Sequence, residues 1–312
     1  MTGLSECRTL SYTIFFRHYQ VVVLALRPLV CTVMKLITTA KEMSQFSSST
    51  RSTGQTVGFV PTMGALHLGH ISLVKQAKQK CDTVVVSVFV NPTQFNDPSD
   101  LKNYPRTFES DRALLEEEGV NVMFFPSADE IYPEPLSKTF DMDGLDARME
   151  GPNRPGHFDG VVQVVTRLFD IVQPDVALFG EKDFQQLAIL RHMTKKLGYG
   201  IEIIGCPTER EASGLAMSSR NVRLSETGRN VASGISALLL RIQRLLSGNR
   251  SIQEVLRESK EILDRQEGME LEYLELVNPD SLTLATDDSE HIQACIAVWV
   301  EGVRLIDNMQ VK

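Results

Sequence analysis

The feature that most constrains the fold of this 312-residue chain is a repeated alternation between short apolar runs and longer amphipathic segments. The apolar runs, rich in Val, Ile and Phe, lie at residues 57–60, 83–90, 120–125, 176–180 and 201–205. The segments between them carry apolar side chains three and four positions apart, and they predict helices at 70–81, 107–118, 160–172 and 183–197. Buried strands that alternate with helices form a parallel sheet covered by those helices. The sequence therefore predicts a doubly wound α/β domain.

The pattern changes after residue 223. Two long amphipathic helices are predicted at 225–246 and 251–266, and strand candidates follow at 271–277 and 295–300. We expect a larger domain over residues 34–207 and a smaller C-terminal α+β domain over residues 208–312. A serine-rich cluster at 47–52 is predicted to be a loop, because short polar clusters between periodic segments are typical of loops.

Residues 1–33 differ from the rest of the chain. They are basic and contain an apolar run at 21–26, so a targeting segment has to be considered. Pro28 interrupts this run, which is too short to span a bilayer and has no small-residue cleavage site after it. A β-branched run typical of the start of a compact domain begins at Met34. We expect residues 1–33 to be an extension outside the fold, from an upstream start codon or an appended tail, and a transit peptide is the alternative.

The charge balance argues against a polyanionic partner. Acidic residues outnumber basic residues by 40 to 32, for a formal net charge of -8, and this leaves no positive field to hold a nucleic acid. The five cysteines form no Cys-x-x-Cys pair and no zinc-binding spacing, which is typical of reduced thiols in a cytosolic protein. We therefore expect a cytoplasmic protein that binds neither nucleic acid nor a membrane.

The strongest local motif, PTMGALHLGH, lies at residues 61–70 between the first apolar run and the first helix of the predicted sheet. Such sheets bind ligands at the carboxyl ends of their strands. The motif is not a phosphate-binding P-loop, because His70 and Ile71 follow Gly69 where that loop requires Lys and Ser or Thr. His67 and His70 lie three residues apart at the start of a helix, where both can donate N–H groups to a phosphate. Helix capping or metal binding is the alternative role, although the loop contains no carboxylate or cysteine.

A second polar loop, AMSSRN, lies at residues 216–221. Ser218, Ser219 and Arg220 supply two hydroxyls and a guanidinium, which are suited to pyrophosphate oxygens. On its own this sequence usually indicates a solvated turn. Together with the two histidines it resembles the nucleotidyltransferase superfamily, in which two such loops hold ATP from opposite sides.

A third polar segment, FGEKDFQQ, lies at residues 179–186, where a predicted strand meets a helix. Lys182 can contact a phosphate as a point charge, and Asp183 can accept a hydrogen bond from a ribose hydroxyl. A surface turn that caps the helix is the alternative.

A fourth loop, FVNPTQF, covers residues 89–95 after the second predicted strand. Asn91 and Gln94 offer neutral amides beside the apolar side chains of Phe95 and Pro61, and this lining suits a small ligand with hydroxyl groups and an apolar body. Without the other loops, an ordinary turn would be the better interpretation.

Taken in order, these segments resemble the pantothenate synthetases, or pantoate–β-alanine ligases. The resemblance rests on GFVPTMGALHLGH at 58–70, VNPTQF at 90–95, YPRT at 104–107, RPGHF at 154–158, FGEKDFQQL at 179–187, GLAMSSRN at 214–221 and RLIDN at 304–308. It extends from about Met34 to the C-terminus, and residues 1–33 have no counterpart in it. The resemblance implies a Rossmann-like fold and an ATP-dependent ligase. Such an enzyme activates pantoate as an acyl adenylate and transfers the pantoyl group to β-alanine, with release of AMP and diphosphate.

The resemblance also implies roles for individual residues. The catalytic residues are His67, His70, Lys182, Ser218, Ser219 and Arg220. The ATP-binding residues are those six together with Met63, Gly180, Asp183 and Met217. The pantoate-binding residues are Pro61, Met63, Asn91, Gln94, Phe95 and Gln186.

A carboxylate in the helix after the YPRT segment is expected to bind Mg²⁺, which accompanies ATP in this family. Glu109 and Asp111 are the candidates, and Asp111 is favoured. The expected partners are the small-molecule substrates pantoate, β-alanine and ATP, and the resemblance implies a homodimer.

Three other functions fit parts of this pattern. A nucleotidyltransferase usually has an arginine three residues beyond the serine pair, whereas Arg220 follows Ser219 directly. A class I aminoacyl-tRNA synthetase is disfavoured by the acidic charge balance, the short chain and the lack of an anticodon-binding extension. A non-catalytic nucleotide sensor would be expected to lack one or more phosphate-binding residues, and all of them are present.

Overall fold

The computed structural model describes residues 33–134 and 140–312. The predicted extension at residues 1–33 lies, apart from Val33, outside the described residues. The secondary-structure elements follow one another as β1 (Lys35–Ile37), α1 (Ala40–Ser52), β2 (Val57–Thr62), α2 (Leu68–Lys80), β3 (Thr83–Val88), α3 (Pro98–Asn103), α4 (Phe108–Glu117), β4 (Val122–Phe124), α5 (Ala128–Ile131), α6 (Glu150–Asn153), α7 (His157–Val172), β5 (Val176–Gly180), α8 (Phe184–Lys196), β6 (Glu202–Cys206), α9 (Glu226–Ser247), α10 (Ile252–Asp264), β7 (Glu270–Val277), β8 (Gln293–Val300) and β9 (Val303–Gln310). Short 3-10 helices lie at Pro92–Gln94, Glu181–Asp183 and Ser219–Arg223.

The larger sheet has six parallel strands in the order β1-β4-β3-β2-β5-β6. Strands β2 to β6 overlap the five predicted apolar runs, and every residue of β3 is buried. Helices lie between consecutive strands, as a parallel sheet requires. The predicted Rossmann-like, doubly wound α/β fold is therefore confirmed. The edge strand β1 is only three residues long, too short for periodicity to reveal it.

The prediction of a loop at 47–52 is wrong, because these residues form the second half of α1. Ser47 and Thr50 are buried there, and Met43 one turn earlier is fully buried. Helix α1 packs against α7, and the Ser44 hydroxyl donates to the carbonyl of Ile171 at 3.0 Å. Tertiary packing thus outweighs the weak helix propensity of serine.

The smaller sheet is antiparallel, with strands in the order β7-β8-β9, and helices α9 and α10 pack against it. The predicted smaller α+β part is confirmed, and β9 is a strand that the sequence pattern did not reveal. Asp307 and Asn308, two consecutive polar residues, are both buried and interrupt the apolar alternation expected of a strand. Asp307 forms a bidentate ion pair with Arg210, with distances of 2.7 and 3.0 Å. The exact division of the chain at residue 208 stays a prediction.

A buried ion-pair network joins the smaller sheet to helix α6. Arg304 of β9 donates twice to the carboxylate of Glu150, at 2.8 Å each, and the Tyr273 hydroxyl donates to the same carboxylate at 2.7 Å. Burial acts to raise the pKa of Glu150, but the hydrogen bonds and charge of Arg304 outweigh it and lower the pKa to about 2.

Among the described residues, no helix is long and apolar enough to cross a membrane.

Helix α7 lies very close to the turn at Pro92–Gln94. A Cβ atom at Gly160 would lie 2.5 Å from the carbonyl oxygen of Thr93 and 2.8 Å from the amide nitrogen of Gln94. Both atoms belong to the backbone, so neither can move aside as a flexible side chain would. Gly160 therefore sets how closely α7 approaches the turn that carries Gln94.

We expect Gly160→Ala to lower the free energy of unfolding by about 1–3 kcal/mol, the usual cost of overpacking. Alanine has a helix propensity up to about 1 kcal/mol more favourable than glycine, so the variant is destabilised only if the steric cost exceeds this gain. Chemical denaturation measures the change. Gly200→Ala is the matched control, because no atom lies within 4 Å of a Cβ placed there. Equal stability of the two variants would contradict the close packing described for α7.

Candidate active site

A cavity of about 240 Å³ opens at the carboxyl edge of the larger sheet. The loops that follow β2, β3, β5 and β6 border it, together with the loop that contains the serine pair. The cavity thus lies where parallel sheets of this kind bind ligands.

The cavity collects almost every residue that the sequence assigned to a site. The predicted nucleotide residues that border it are Met63, His67, His70, Gly180, Lys182, Asp183, Met217, Ser218, Ser219 and Arg220. The predicted pantoate residues that border it are Pro61, Met63, Asn91, Gln94, Phe95 and Gln186. Asp111 does not border it.

His67 and His70 cap helix α2 and still leave one N–H group each for a ligand. The backbone N–H of Gly69 donates to Nδ1 of His67 at 3.1 Å, and the N–H of His67 donates to Nδ1 of His70 at 3.2 Å. A backbone N–H can only donate, so both Nδ1 atoms are acceptors and both protons lie on Nε2. The two rings lie close together, with centroids 4.1 Å apart. Capping, the alternative role, is therefore compatible with phosphate binding through Nε2–H.

Both imidazoles are neutral near pH 7. Burial lowers the pKa of His67 to about 4, and the positive charge of Lys182 acts in the same direction. Burial lowers the pKa of His70 to about 3, and the charge of Lys182 and that of His67 in its protonated form act in the same direction. The histidines are thus hydrogen-bond donors without a net charge, and Lys182 is the cation beside them. Lys182 makes no ion pair within the described part of the chain.

Asp111 holds the loop that carries the two histidines. Its carboxylate accepts from the backbone N–H of Ala65 at 3.0 Å and of Leu66 at 2.8 Å, and from the Thr107 hydroxyl at 3.1 Å. Asp111 is 2% exposed. Two consecutive residues of this loop, Gly64 and Ala65, have φ of 81° and 50°, so the chain turns sharply there. The carboxylate stabilises that turn.

This arrangement does not fit the predicted role of Asp111 as a Mg²⁺ ligand. Both carboxylate oxygens already accept hydrogen bonds within the protein, three in all, and Asp111 does not border the cavity. Across residues 33–134 and 140–312, no cluster of three or more His, Cys, Asp or Glu side chains is arranged to hold a metal ion. Glu109, the other candidate, is exposed on the same helix.

The serine loop is joined to the histidine loop. The hydroxyl of Ser219 donates to the carbonyl of Ala65 at 3.0 Å. Ser218 caps the 3-10 helix at Ser219–Arg223, and its hydroxyl oxygen accepts from the N–H of Arg220 at 3.3 Å. The proton of the Ser218 hydroxyl has no acceptor among the described residues and can be donated to a ligand.

Arg220 is paired with an acidic side chain that the sequence did not single out. Its guanidinium donates to both carboxylate oxygens of Asp100, at 3.3 and 2.7 Å, and lies over the ring of Tyr104 at 5.4 Å from the centroid. Arg223 donates to the same carboxylate at 3.0 Å. Asp100 therefore holds the guanidinium of Arg220 at the edge of the cavity.

The smaller sheet fixes the turn that carries Lys182. The side-chain amide of Asn308 in β9 donates to the carbonyls of Glu181 at 2.9 Å and Lys182 at 2.8 Å. The amide oxygen of Asn308 accepts from Gln293 at 2.7 Å, which sets its orientation. Asn308 is the last residue of the RLIDN segment, so this contact explains how a segment far along the chain takes part in the site.

The other half of the cavity is less polar. Helix α7 lines it with Val161, Val164, Val165 and Leu168. The side chains of Gln94 and Gln186 border the same space, so the amides lie at the edge of an apolar wall. Such a lining suits a small molecule that has a branched apolar body and a few polar groups.

Sequence reasoning gave no role to several residues that border the cavity. Arg154 and His157 lie in the RPGHF segment, and both border the cavity with Tyr104 and Glu209. His157 donates from Nδ1 to the carbonyl of Gln94 at 2.8 Å, while Arg154 forms an ion pair with Glu150 at 3.2 Å. The only feature of the sequence that could have indicated their role is the position of the segment just before a predicted helix.

Comparison with known proteins agrees with these observations. The family model for pantoate–β-alanine ligase matches residues 35–310. The chain belongs to the pantoate–β-alanine ligase family. It is 50% identical over 282 residues to a pantothenate synthetase of Phocaeicola vulgatus, covering 89% of this chain and 100% of that protein. A pantothenate synthetase of Thermotoga petrophila is 45% identical over 276 residues, covering 88% of this chain and 99% of the relative.

Solved structures of the same family have the same fold. The crystal structure of pantothenate synthetase from Thermus thermophilus matches with a TM-score of 0.83 and 42% identity, over 89% of this chain and 99% of that one. A pantoate–β-alanine ligase from Francisella tularensis, complexed with β,γ-ATP and β-alanine, matches with a TM-score of 0.75 and 36% identity, over 89% and 98% of the two chains.

We expect the buried histidines to make this family member less stable as the pH falls below about 6.5. Burial, with the charge of Arg154, lowers the pKa of His157 to about 4, as burial does for His67 and His70. Between pH 4 and 6.5 the unfolded chain binds protons that the folded chain excludes, so stability is present above pH 6.5 and is lost on acidification. Each histidine contributes a slope of up to about 1.4 kcal/mol per pH unit.

Chemical denaturation between pH 5 and 6.5 measures this slope. His157→Gln keeps a side-chain N–H donor for Gln94 and should reduce the slope by the share of one histidine. His291→Gln, at an exposed position, is the control. An unchanged slope in His157→Gln would show that His157 protonates as readily in the folded chain as in the unfolded chain.

Proposed function

We propose that the cavity catalyses both half-reactions of a pantoate–β-alanine ligase, with pantoyl adenylate as the intermediate. As a member of the family, the chain is an ATP-dependent ligase that condenses pantoate with β-alanine to give pantothenate, AMP and diphosphate. The proposed site rests on one observation. Two neutral Nε2–H donors, Lys182 and the serine loop border the same cavity, and one wall of that cavity is apolar. This arrangement provides separate space for a triphosphate and for a small apolar acid.

Activation of the acid is the first half-reaction. A carboxylate cannot be attacked directly by an amine because oxide is a poor leaving group, so a carboxylate oxygen of pantoate attacks the α-phosphorus of ATP. Negative charge then builds up on the α-phosphate and on the departing diphosphate. His67 and His70 donate neutral N–H groups to these oxygens, and Lys182 supplies positive charge. Preorganised donors of this kind stabilise the transition state without rearranging, because the capping bonds already hold the rings.

The serine loop is proposed to hold the β- and γ-phosphates. Ser218 can donate its hydroxyl proton, and Arg220 offers guanidinium N–H groups. Arg220 is paired with Asp100, so binding of the triphosphate has to compete with this carboxylate. Ser219 is proposed to act partly by joining the two phosphate-binding loops through Ala65. Gly180 and Asp183 are proposed to contact the ribose, and Met63 and Met217 to border the nucleotide.

Pantoate is proposed to occupy the half of the cavity lined by α7. Its dimethyl group would pack on Val161, Val164 and Val165, while Gln94 and Gln186 would bind its hydroxyl and carboxylate oxygens. Pro61, Met63 and Phe95 would complete the apolar surface. In this position the carboxylate points toward the phosphates at the histidine loop.

The second half-reaction is acyl substitution by the amine of β-alanine. The amine attacks the acyl carbon of the adenylate, the C–O bond to the phosphate breaks, and AMP leaves with the oxygen that came from pantoate. The Francisella relative is complexed with β,γ-ATP and β-alanine, which supports a site for the amine beside the nucleotide. Positioning of the two reactants supplies much of the acceleration in such reactions.

Mg²⁺ is proposed to accompany ATP, as the family resemblance implies, and to neutralise phosphate charge. Asp111 does not fit as its ligand, because the carboxylate is committed to the histidine loop. The roles proposed for the protein groups therefore do not depend on a metal ligand among them. A homodimer is part of the proposal on the strength of the same resemblance, and a cytoplasmic location is part of it on the strength of the cysteine pattern.

The adenylate route can be followed through the oxygen atoms of pantoate. With heavy oxygen in the pantoate carboxylate, the AMP released should carry one labelled atom per turnover, and the diphosphate should carry none. The reason is that the attacking oxygen stays on the α-phosphorus when the acyl group leaves. Mass spectrometry of the separated products makes the measurement.

Two results would contradict this route. Attack at the γ-phosphorus would give ADP and labelled inorganic phosphate, which would reject the adenylate intermediate. Consumption of ATP without any pantothenate would reject the ligase function itself and favour a nucleotidyltransferase. Unlabelled ATP incubated with β-alanine alone is the control, because neither AMP nor diphosphate should form before pantoate is activated.

A further inference from the structure

We infer that Asn91 and Tyr132 are positioning residues that fix the side-chain amide of Gln94, so that Gln94 presents its N–H₂ group to the oxygen atoms of pantoate. This inference deepens the proposed function and rests on it. It gives Asn91 a role different from the direct pantoate contact expected from the sequence, and it assigns a role to Tyr132, which does not border the cavity.

The amide of Asn91 has only one possible orientation. Its Oδ1 accepts from the backbone N–H of Thr93 at 3.4 Å, and its Nδ2 donates to the backbone carbonyl of Gly160 at 3.1 Å. A backbone N–H can only donate and a carbonyl can only accept. Turning the amide over would place donor against donor and acceptor against acceptor, so the assignment of its oxygen and nitrogen is secure.

Tyr132 stabilises this orientation of the Asn91 amide. Its hydroxyl donates to Oδ1 of Asn91 at 2.9 Å, and the Thr93 hydroxyl donates to the same oxygen at 3.1 Å. Tyr132 lies at the C-terminal end of α5, and its ring packs edge-on against Phe89 with centroids 6.4 Å apart. Burial raises the pKa of Tyr132, so its hydroxyl keeps its proton at neutral pH and remains a donor.

The second N–H of Asn91 then determines the orientation of Gln94. Nδ2 of Asn91 donates to Oε1 of Gln94 at 3.1 Å, so the amide oxygen of Gln94 faces Asn91 and its Nε2 faces away. Nε2 of Gln94 has no hydrogen-bond partner among the described residues. The backbone of Gln94 is also fixed, because its carbonyl accepts from His157 at 2.8 Å and from Arg154 at 3.4 Å. The free end of Gln94 is therefore a donor at the edge of the cavity.

Asn91 has little left with which to bind a ligand itself. It is 1% exposed, both of its N–H groups are donated within the protein, and its oxygen accepts three hydrogen bonds. A donor group on Gln94 suits the carboxylate and hydroxyl oxygens of pantoate, which all have lone pairs. An amide that presented its oxygen instead would repel the carboxylate.

The test uses Tyr132→Phe, which removes one hydroxyl and leaves the packing surface of the ring. We expect the KM for pantoate to rise roughly threefold to tenfold, as for the loss of one hydrogen bond in a fixed chain, with the KM for ATP unchanged. Tyr199→Phe is the matched control, since its hydroxyl donates to Asp170 at 2.6 Å away from the cavity. It should change neither KM.

A double-mutant cycle separates positioning from a general structural effect. If Tyr132 acts through Gln94, Tyr132→Phe should have no further effect on the pantoate KM in a Gln94→Ala background. Asn91→Asp, which cannot donate to Oε1 of Gln94, should raise the pantoate KM more than Tyr132→Phe does and should also lose its effect in that background. Loss of the effect supports the inference.

Four outcomes would overturn it. The same increase in pantoate KM with and without Gln94 would show that Tyr132 does not act through this amide. Equal increases for pantoate and ATP would indicate a general loss of site structure. If the unmodified protein forms no pantothenate from the three substrates, the proposed function and the inference fail together, whereas a fully active Tyr132→Phe with an unchanged pantoate KM rejects the inference alone.

Discussion

The hydrogen bonds that the Asp111 carboxylate accepts from the N–H groups of Ala65 and Leu66 are the interaction on which the rest of the site depends. The turn has two consecutive residues with positive φ, and the N–H groups that follow it need acceptors. The carboxylate provides them, and the carbonyl of Ala65 is then free to accept from Ser219 of the other loop. One buried side chain thus fixes the loop that leads to His67 and His70, and with it the carbonyl that the serine loop contacts.

The same principle recurs on both sides of the cavity. The smaller sheet holds the Lys182 turn through Asn308, and Tyr132 and Asn91 hold the amide of Gln94. In each case a neutral polar side chain, bonded to backbone groups that can act in only one way, sets the orientation of a group at the cavity. Groups held in this way need little rearrangement when a ligand binds, which is what transition-state stabilisation requires. The smaller sheet therefore contributes to the site, because Asn308 holds the turn that carries Lys182.

Much of the fold and of the candidate site could be predicted from local patterns, and the failures have a common cause. Strand periodicity and strand-end loops place His67, Gln94 and Lys182 at one sheet edge, as the structure confirms. The second half of helix α1 was taken for a loop because Ser47 and Thr50 are buried and the helix packs against α7, which lies far away in the sequence. The structural role of Asp111 could not be predicted, because two of its three partners are backbone N–H groups 45 and 46 residues away, and a single sequence does not show which backbone groups meet. Contacts between distant segments are what one sequence cannot supply.

The most direct test of this account compares Asp111→Asn with Glu109→Gln, an exposed carboxylate on the same helix. Calorimetry measures the affinity for ATP over a range of Mg²⁺ concentrations, and denaturation of the ligand-free proteins measures stability. If Asp111 holds the histidine loop, Asp111→Asn should lose about 1–3 kcal/mol of unfolding free energy, because its amide N–H₂ would face a backbone donor. ATP affinity should then fall at every Mg²⁺ concentration, including zero, while Glu109→Gln changes neither quantity. An Asp111→Asn protein of unchanged stability that loses ATP affinity only when Mg²⁺ is present would contradict the account.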